Sequence, residues 1–198
     1  MKKGQRIASP LKSSFGSEAM AKKTSLPLSK VYRLIEPGPV VLLSTASGKH
    51  TNIMTMSWHM MIDFEPPLIA CVVSDRGFTF DILKETKECV INIPTVDLAK
   101  QVVACGNVSG RKIDKFAKFG LTPSIAAKVR APLIAECFAN LECRVIDTGQ
   151  AKKYNIFILE VVAAWIDRSQ KHPQTIHHQG YGKFLVDGET IKLPSRMR

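Results

Sequence analysis

Apolar positions along this chain come in short runs broken by polar turns, a pattern of strands more than of long amphipathic helices. Pro39-Val40-Val41-Leu42-Leu43-Ser44-Thr45 is a β-branched run closed by Ser47-Gly48-Lys49, a hairpin signal. A second strand is expected across Thr51 to Met61, followed by a turn at Phe64-Glu65-Pro66-Pro67. A third, Leu68 to Ser74, is apolar throughout, as a strand buried on both faces would be. After Asp75-Arg76-Gly77 the pattern changes. Thr79 to Thr86 reads as a helix with Phe80, Ile82 and Leu83 on one side, and a strand follows at Cys89–Ile93. Pro94-Thr95 opens a second helix, Val96 to Cys105. Asn107 to Thr122 is polar, with a helical turn near Asp114–Phe119. Cys137–Asp147, Tyr154–Ile166 and Lys183–Val186 are the remaining strands. About six strands joined by hairpins, with helices inserted late, predict a mainly β fold: a β-barrel decorated by helices.

The 198 residues divide unevenly. Residues 1–30 are rich in Lys, Ser, Ala and Gly without apolar periodicity and are expected to form a flexible basic arm; 31–198 form the domain. Met20 is an alternative start to Met1. The arm holds seven basic residues against one acidic residue, more than half of the net charge of +11. The domain alone is only mildly basic, which removes most of the support for nucleic-acid binding. No apolar h-region follows the N-terminal lysines. The longest apolar stretch, Ile156 to Ile166, is interrupted by Glu160 and too short to span a bilayer. Five cysteines without a C-x-x-C pair lie mostly in apolar runs, as free thiols in a reducing compartment would. A cytoplasmic protein without membrane or nucleic-acid partner is the expectation.

Several segments occur in a telling order. They are Asn52-Ile53-Met54-Thr55-Met56-Ser57-Trp58, Asp63-Phe64-Glu65-Pro66-Pro67-Leu68, Cys105-Gly106-Asn107-Val108-Ser109-Gly110-Arg111-Lys112-Ile113-Asp114-Lys115-Phe116, Ala131-Pro132-Leu133-Ile134 and Leu141-Glu142-Cys143. Together they resemble the flavin reductase-like, FMN-binding split-barrel family, its flavoredoxin branch above all, from about Val31 to Phe184. The resemblance implies a six-stranded Greek-key split barrel, non-covalent FMN, and a homodimer with each FMN near the interface. It implies redox chemistry carried by the flavin itself, with no catalytic side chain. The first reading is a flavin reductase fed by a nicotinamide dinucleotide, NAD(P)H. The alternative is a flavoredoxin-like carrier exchanging electrons with a redox protein, and a distant third is a non-enzymatic basic binder using the arm.

Four segments carry the candidate site. The strand Met54, Thr55, Met56, Ser57 offers hydroxyls and thioethers in alternation; by resemblance its backbone lines the flavin ring, although methionine also serves as core filler. Ser74-Asp75-Arg76-Gly77-Phe78-Thr79 is a turn into a helix, where free N–H groups attract phosphate. Relatives carry a basic or hydroxyl pair just before the threonine; with Gly77 and Phe78 there, contacts fall to Ser74, Arg76 and Thr79, unless Thr79 merely caps its helix. By resemblance Asn107, Val108 and Ser109 approach the flavin and Lys115 its phosphate or ring edge, while Arg111 and Lys112 suit an anionic donor. His178 and Tyr181, in a Gly-aromatic-Gly turn, are assigned to the pocket mouth. Adjacent histidines point apart and no partners stand at ligand spacing, so no metal is expected. Cys105, opening the polar segment, is the one cysteine considered for reactivity, with a structural thiol the favoured role.

Overall fold

A computed structural model describes residues 38–194; the basic arm and the expected start near Val31 lie outside the described residues. The strands β1 (Val41–Ser47) and β2 (His50–Met56) form a hairpin whose turn is turned by Gly48 at φ 57°, a conformation that favours glycine. Then follow β3 (His59–Phe64), β4 (Pro67–Val72), helix α1 (Phe78–Thr86) and β5 (Glu88–Ile93). A 3₁₀ turn (Val96–Leu98) leads into α2 (Ala99–Asn107), and α3 (Lys115–Phe119) follows. Two-residue strands β6 (Pro123–Ser124) and β7 (Leu133–Ile134) precede the long β8 (Ala139–Asp147), α4 (Ala151–Tyr154) and β9 (Ile156–Ile166). A hairpin of β10 (Ile176–His178) and β11 (Phe184–Val186) ends the described fold.

The main sheet is antiparallel and runs β2-β1-β5-β8-β9-β4-β3. Its two edges, β2 and β3, are consecutive in the chain and separated only by Ser57 and Trp58. Two residues cannot span a flat seven-stranded sheet, so the sheet curls until its edges approach and makes a split barrel. The same break corrects the strand count. The single strand expected over Thr51–Met61 is two, which gives seven strands in place of six.

β4 also departs from expectation. Ile69, Cys71 and Val73 are buried, but the alternate Leu68, Ala70 and Val72 are only half-buried. The strand has one core face, because the described chain covers the outer face of β4 only in part. The helix expected over Val96–Cys105 begins as a 3₁₀ turn and extends to Asn107. The short strands β6, β7 and β10 are too brief to carry a readable period.

Alternation along β1 divides the interior into two cores. Val41 and Leu43 face a barrel core with Cys71, Ile91, Phe157 and the α1 residues Phe80 and Leu83. Phe80 and Phe157 meet edge to face, with centroids 5.3 Å apart. Val40 and Leu42 face a second core with Ile53, Val102, Cys105, Phe116 and Ile176, which seats α2 and α3. The β1–β2 hairpin is therefore held between α1 on one side and α2 and α3 on the other. A buried carboxylate, Glu142, accepts bonds from the Ala127, Lys128 and Val129 N–H groups and from Trp165 Nε1, pinning the loop before β7 to the sheet.

Candidate functional site

A cavity of about 340 Å³ opens where β2, the start of α1, the end of α2 and the α2–α3 loop converge. Asn52, Met54 and Thr55 line it from β2; Arg76, Gly77, Phe78 and Thr79 from the turn and first residues of α1; Cys105 to Gly110 and Lys115 from the other side.

The α1 wall presents a helix start to the cavity. The turn before the helix is closed by Gly77 N–H donating to Ser74 O at 2.9 Å. The N-cap is Gly77, with no side-chain cap bond, so the first helical N–H groups keep no capping acceptor and open beside the cavity. Thr79 is not the cap but a first-turn residue, 2% exposed, whose Oγ1 accepts from Asn52 Nδ2 at 2.8 Å. Arg76 is exposed at the rim.

β2 is an edge strand, so every second residue presents its backbone N–H and C=O away from β1. Ile53 does so, because its carbonyl accepts from Lys115 Nζ at 2.6 Å, and alternation puts the Thr55 backbone groups on the same open edge. The Thr55 hydroxyl points the other way and donates to Val102 O of α2 at 2.6 Å. Gly106 packs against Thr55, where a Cβ would lie 3.4 Å from its side chain.

Lys115 is 4% exposed and joins three elements: it starts α3, and its ammonium donates to Ile53 O and, at 2.7 Å, to Cys105 O near the α2 C-terminus. A cation there is favoured by the helix dipole. Burial lowers its pKa, against a smaller opposing pull from Cys105. α3 itself is capped by Asp114, which accepts from Ala117 N–H at 3.2 Å.

Of the expected site residues, Met54, Thr55, Arg76, Thr79, Asn107, Val108, Ser109 and Lys115 are brought together on this cavity. The others stand apart from its lining. Met56 is buried in the barrel core. Ser57 follows β2, and Ser74 Oγ accepts from Arg76 N–H within the turn. Arg111 is half-exposed, pairs with Asp81 of α1 and lies over the Phe78 ring at 4.7 Å; Lys112 is exposed. His178 packs on Phe184 with centroids 5.2 Å apart, and Tyr181 is 84% exposed in a turn of three positive-φ residues, Gly180, Tyr181 and Gly182. The β10–β11 hairpin is tied instead to the strand entry, through Val40 N–H to Ile176 O at 2.7 Å.

Cys105 is 1% exposed, and burial raises its pKa to about 11 although Lys115 pulls it down, which disfavours the reactive role and leaves the structural one. All five cysteines are free and buried. Cys71 is likewise pushed up to about 12, by burial and then by Cys143. Among the described residues no group of three His, Cys, Asp or Glu side chains is placed to hold a metal, and no helix is long and apolar enough to cross a membrane.

Asn52, Gly77, Phe78, Gly106 and Gly110 line the cavity without having been singled out as ligands. An asparagine inside a strand, where that residue is disfavoured, was the available signal for the first.

Comparison with known proteins identifies the fold and the family. Residues 32–184 match the flavin reductase like domain. The chain is 31% identical to the Escherichia coli protein YddH over 186 residues, 87% of this chain and 98% of that one. It superposes on an FMN-binding domain of a flavin reductase-like enzyme from Shewanella baltica with TM-score 0.75 and 28% identity, covering 86% of this chain and 97% of the other. Flavoredoxin from Desulfovibrio vulgaris shares the fold with TM-score 0.77 at 24% identity, over 87% of this chain and 96% of that one.

Proposed function

This chain belongs to the flavin reductase like family, and from that premise we propose that it is a flavoprotein that holds FMN non-covalently in the β2–α1–α2 cavity and receives electrons from a nicotinamide dinucleotide. When bound, FMN supplies the redox chemistry at its ring, so the protein's task is to bind, orient and shield it.

The observation that carries the reading is the pairing of an uncapped helix start with a buried hydroxyl on the same cavity wall. The N–H groups of Phe78 and Thr79 with the Thr79 hydroxyl would take the phosphate, and Arg76 at the rim would add charge. The open edge of β2 at Thr55 offers both a donor and an acceptor to the polar edge of the ring, with Met54 as an apolar wall. Lys115 would stand beside the bound flavin from the opposite wall. The cavity volume, about 340 Å³, also suits the cofactor.

Two copies are expected to pair through β3 and its approach, where Trp58, Met60, Met61, Ile62 and Phe64 leave an apolar face exposed. The buried reduced thiols suit a reducing compartment such as the cytoplasm.

The test is the purified protein itself. It should be yellow, release FMN on heating, and bleach rapidly under anaerobic NADH or NADPH. Bleaching only by a reduced ferredoxin would replace the reductase with the flavoredoxin-like carrier. A colourless protein that fails to bind added FMN would end both readings.

A further inference from the structure

Two parts of this fold have the form of pairing strands and stand without a neighbour among the described residues. The first is the far half of β9. β4 runs beside β9 only from Ile156 to Glu160, where Leu68 is the last partner, whereas β8 continues along the other side to Ile166. From Val161 to Ile166, alternate backbone N–H and C=O groups therefore face away from β8 with no strand beside them. The sequence there, Val161-Val162-Ala163-Ala164-Trp165-Ile166, holds no charge and no proline. Proteins normally guard a sheet edge with such residues, or cover it. The two edge strands of the sheet are guarded: β3 carries Asp63 at a register shift, and β2 is met by Lys115 at Ile53 O. The open half of β9 is not. Trp165 and Ile166 are half-exposed, and the Trp165 indole is held in place by Glu142.

The second part is the segment after β11. Asp187 fixes its start: the N–H donates to Thr175 O at 3.1 Å, and the carboxylate accepts from Thr175 Oγ1 and pairs with His177 Nε2, each at 2.6 Å. Gly188 follows, with open space where a side chain would stand, so the chain is free to turn there. Glu189-Thr190-Ile191-Lys192-Leu193 then alternates polar and apolar, the period of a strand. Pro194, which cannot donate to a ladder, closes the run. Ile191 is 74% and Leu193 71% exposed, and the segment does not lie on its own β9. Its five residues reach about 17 Å, within the roughly 20 Å of six residues of open edge.

We infer that Glu189–Leu193 of one copy adds as a strand to the Val161–Ile166 edge of a second copy, and that the exchange is reciprocal. Each copy gives one strand and receives one, so two-fold symmetry closes the assembly. Main-chain hydrogen bonds supply the pairing, while Ile191 and Leu193 leave water against Trp165 and Ile166. The contact is independent of the flavin and adds to the pairing expected through β3.

Sedimentation equilibrium of the full chain and cross-linking of mixed copies test it. Wild type should be a dimer. Replacing Ile191 and Leu193 together by Asp should weaken the dimer at least about a hundredfold, since two apolar side chains are lost from each exchanged strand. Ala164→Lys, which puts a charge on the exposed receiving edge, should weaken it about tenfold. Lys192→Gln, on the other side of the segment, is the control and should stay within about twofold. For proximity, Ile191→Cys and Ala164→Cys are co-expressed as separate chains and treated with a short bis-maleimide. The five native thiols are buried, and wild type treated alike measures their background. A covalent dimer should form from the mixed copies and not from either variant alone. A monomeric wild type would overturn the inference and the β3 pairing together. A dimer indifferent to Ile191 and Leu193 would overturn the inference and leave the β3 pairing standing. A weakened dimer without the mixed cross-link would overturn β9 as the receiving edge. Cross-linking only within a single chain that carries both cysteines would put the segment on its own β9 and end the exchange.

Discussion

The ammonium of Lys115 donates to the carbonyl of Ile53 at 2.6 Å, fastening the first residue of α3 to the open edge of β2 across the floor of the cavity. The same nitrogen closes on Cys105 O at 2.7 Å, so three elements that contribute to the site share one side chain.

Replacing Lys115 by Met should therefore do two things. Two buried carbonyls lose a charged donor, which should cost roughly 2–4 kcal/mol in urea unfolding. The bound flavin also loses the nearest buried cation, so FMN affinity should fall more than riboflavin affinity. In the wild-type protein, burial lowers the Lys115 pKa from its ordinary 10.5. The favourable charge is present at lower pH and is lost as pH rises toward that value, sooner than for an exposed lysine. FMN affinity should decline on that alkaline limb, and the limb should be missing in Lys115→Gln. An unchanged limb would assign it to another group.

Thr79 tests the phosphate placement directly. Thr79→Val preserves shape while removing the hydroxyl, and the first-turn N–H groups remain. FMN should bind about tenfold more weakly and riboflavin unchanged, and Thr79→Ser should restore most of the loss. Equal affinity of Thr79→Val and wild type for FMN would put the phosphate elsewhere.

Much of this site is legible before any coordinates, and the legible part has a common cause. Thr79 and Arg76 are found because a strand, a turn and a helix follow in sequence, so the helix start is a local fact. Met54, Thr55, Asn107, Val108, Ser109 and Lys115 are legible because the order of their segments resembles the family's, and all of them reach the cavity. What escapes depends on long-range packing. Asn52 joins the cavity wall only because α1 brings Thr79 within 2.8 Å of its Nδ2 and the α2–α3 loop lays Gly110 over its carboxamide. His178 and Tyr181 belong to a hairpin whose position is decided by a backbone bond to Val40, 136 residues before Ile176. The break at Ser57-Trp58 is equally silent, since apolar and polar positions alternate almost evenly through it.

Glu142 holds the loop at residues 127–129 to the sheet and does not line the cavity. Burial alone would raise its pKa, but the N–H groups of Ala127, Lys128 and Val129 and the Trp165 indole outweigh that and lower it. A carboxylate lowered on folding contributes stability above its unfolded pKa, and that contribution is lost as pH falls through the lower folded value. Glu142→Gln replaces one acceptor oxygen with a donor facing N–H groups. It should cost roughly 2–4 kcal/mol at pH 7 and flatten the acid side of the stability profile. Urea midpoints from pH 7 downwards, for both proteins, make the comparison; parallel profiles would exclude Glu142 as the titrating group.

The last prediction concerns the encounter with the electron donor. Arg111 and Lys112 lie on the loop that borders the cavity but do not line it, and Arg111 is already engaged by Asp81 and the Phe78 ring. With both partners of that ion pair more than half exposed, its loss should cost less than about 1 kcal/mol, so charge reversal here should leave the fold intact. Exposed charges act mainly on association rate and are screened by salt. The double variant Arg111→Glu, Lys112→Glu should therefore bind FMN with an unchanged visible spectrum yet be reduced more slowly by an anionic donor, about tenfold at low ionic strength. The difference should shrink as salt is added, because wild type loses its attraction and the variant its repulsion. Lys112→Glu alone should account for most of the effect, since Arg111 is partly neutralised by Asp81. Stopped-flow bleaching at several salt concentrations measures each of these slopes, and superimposable slopes for wild type and double variant would reduce the loop's basicity to a solvated surface.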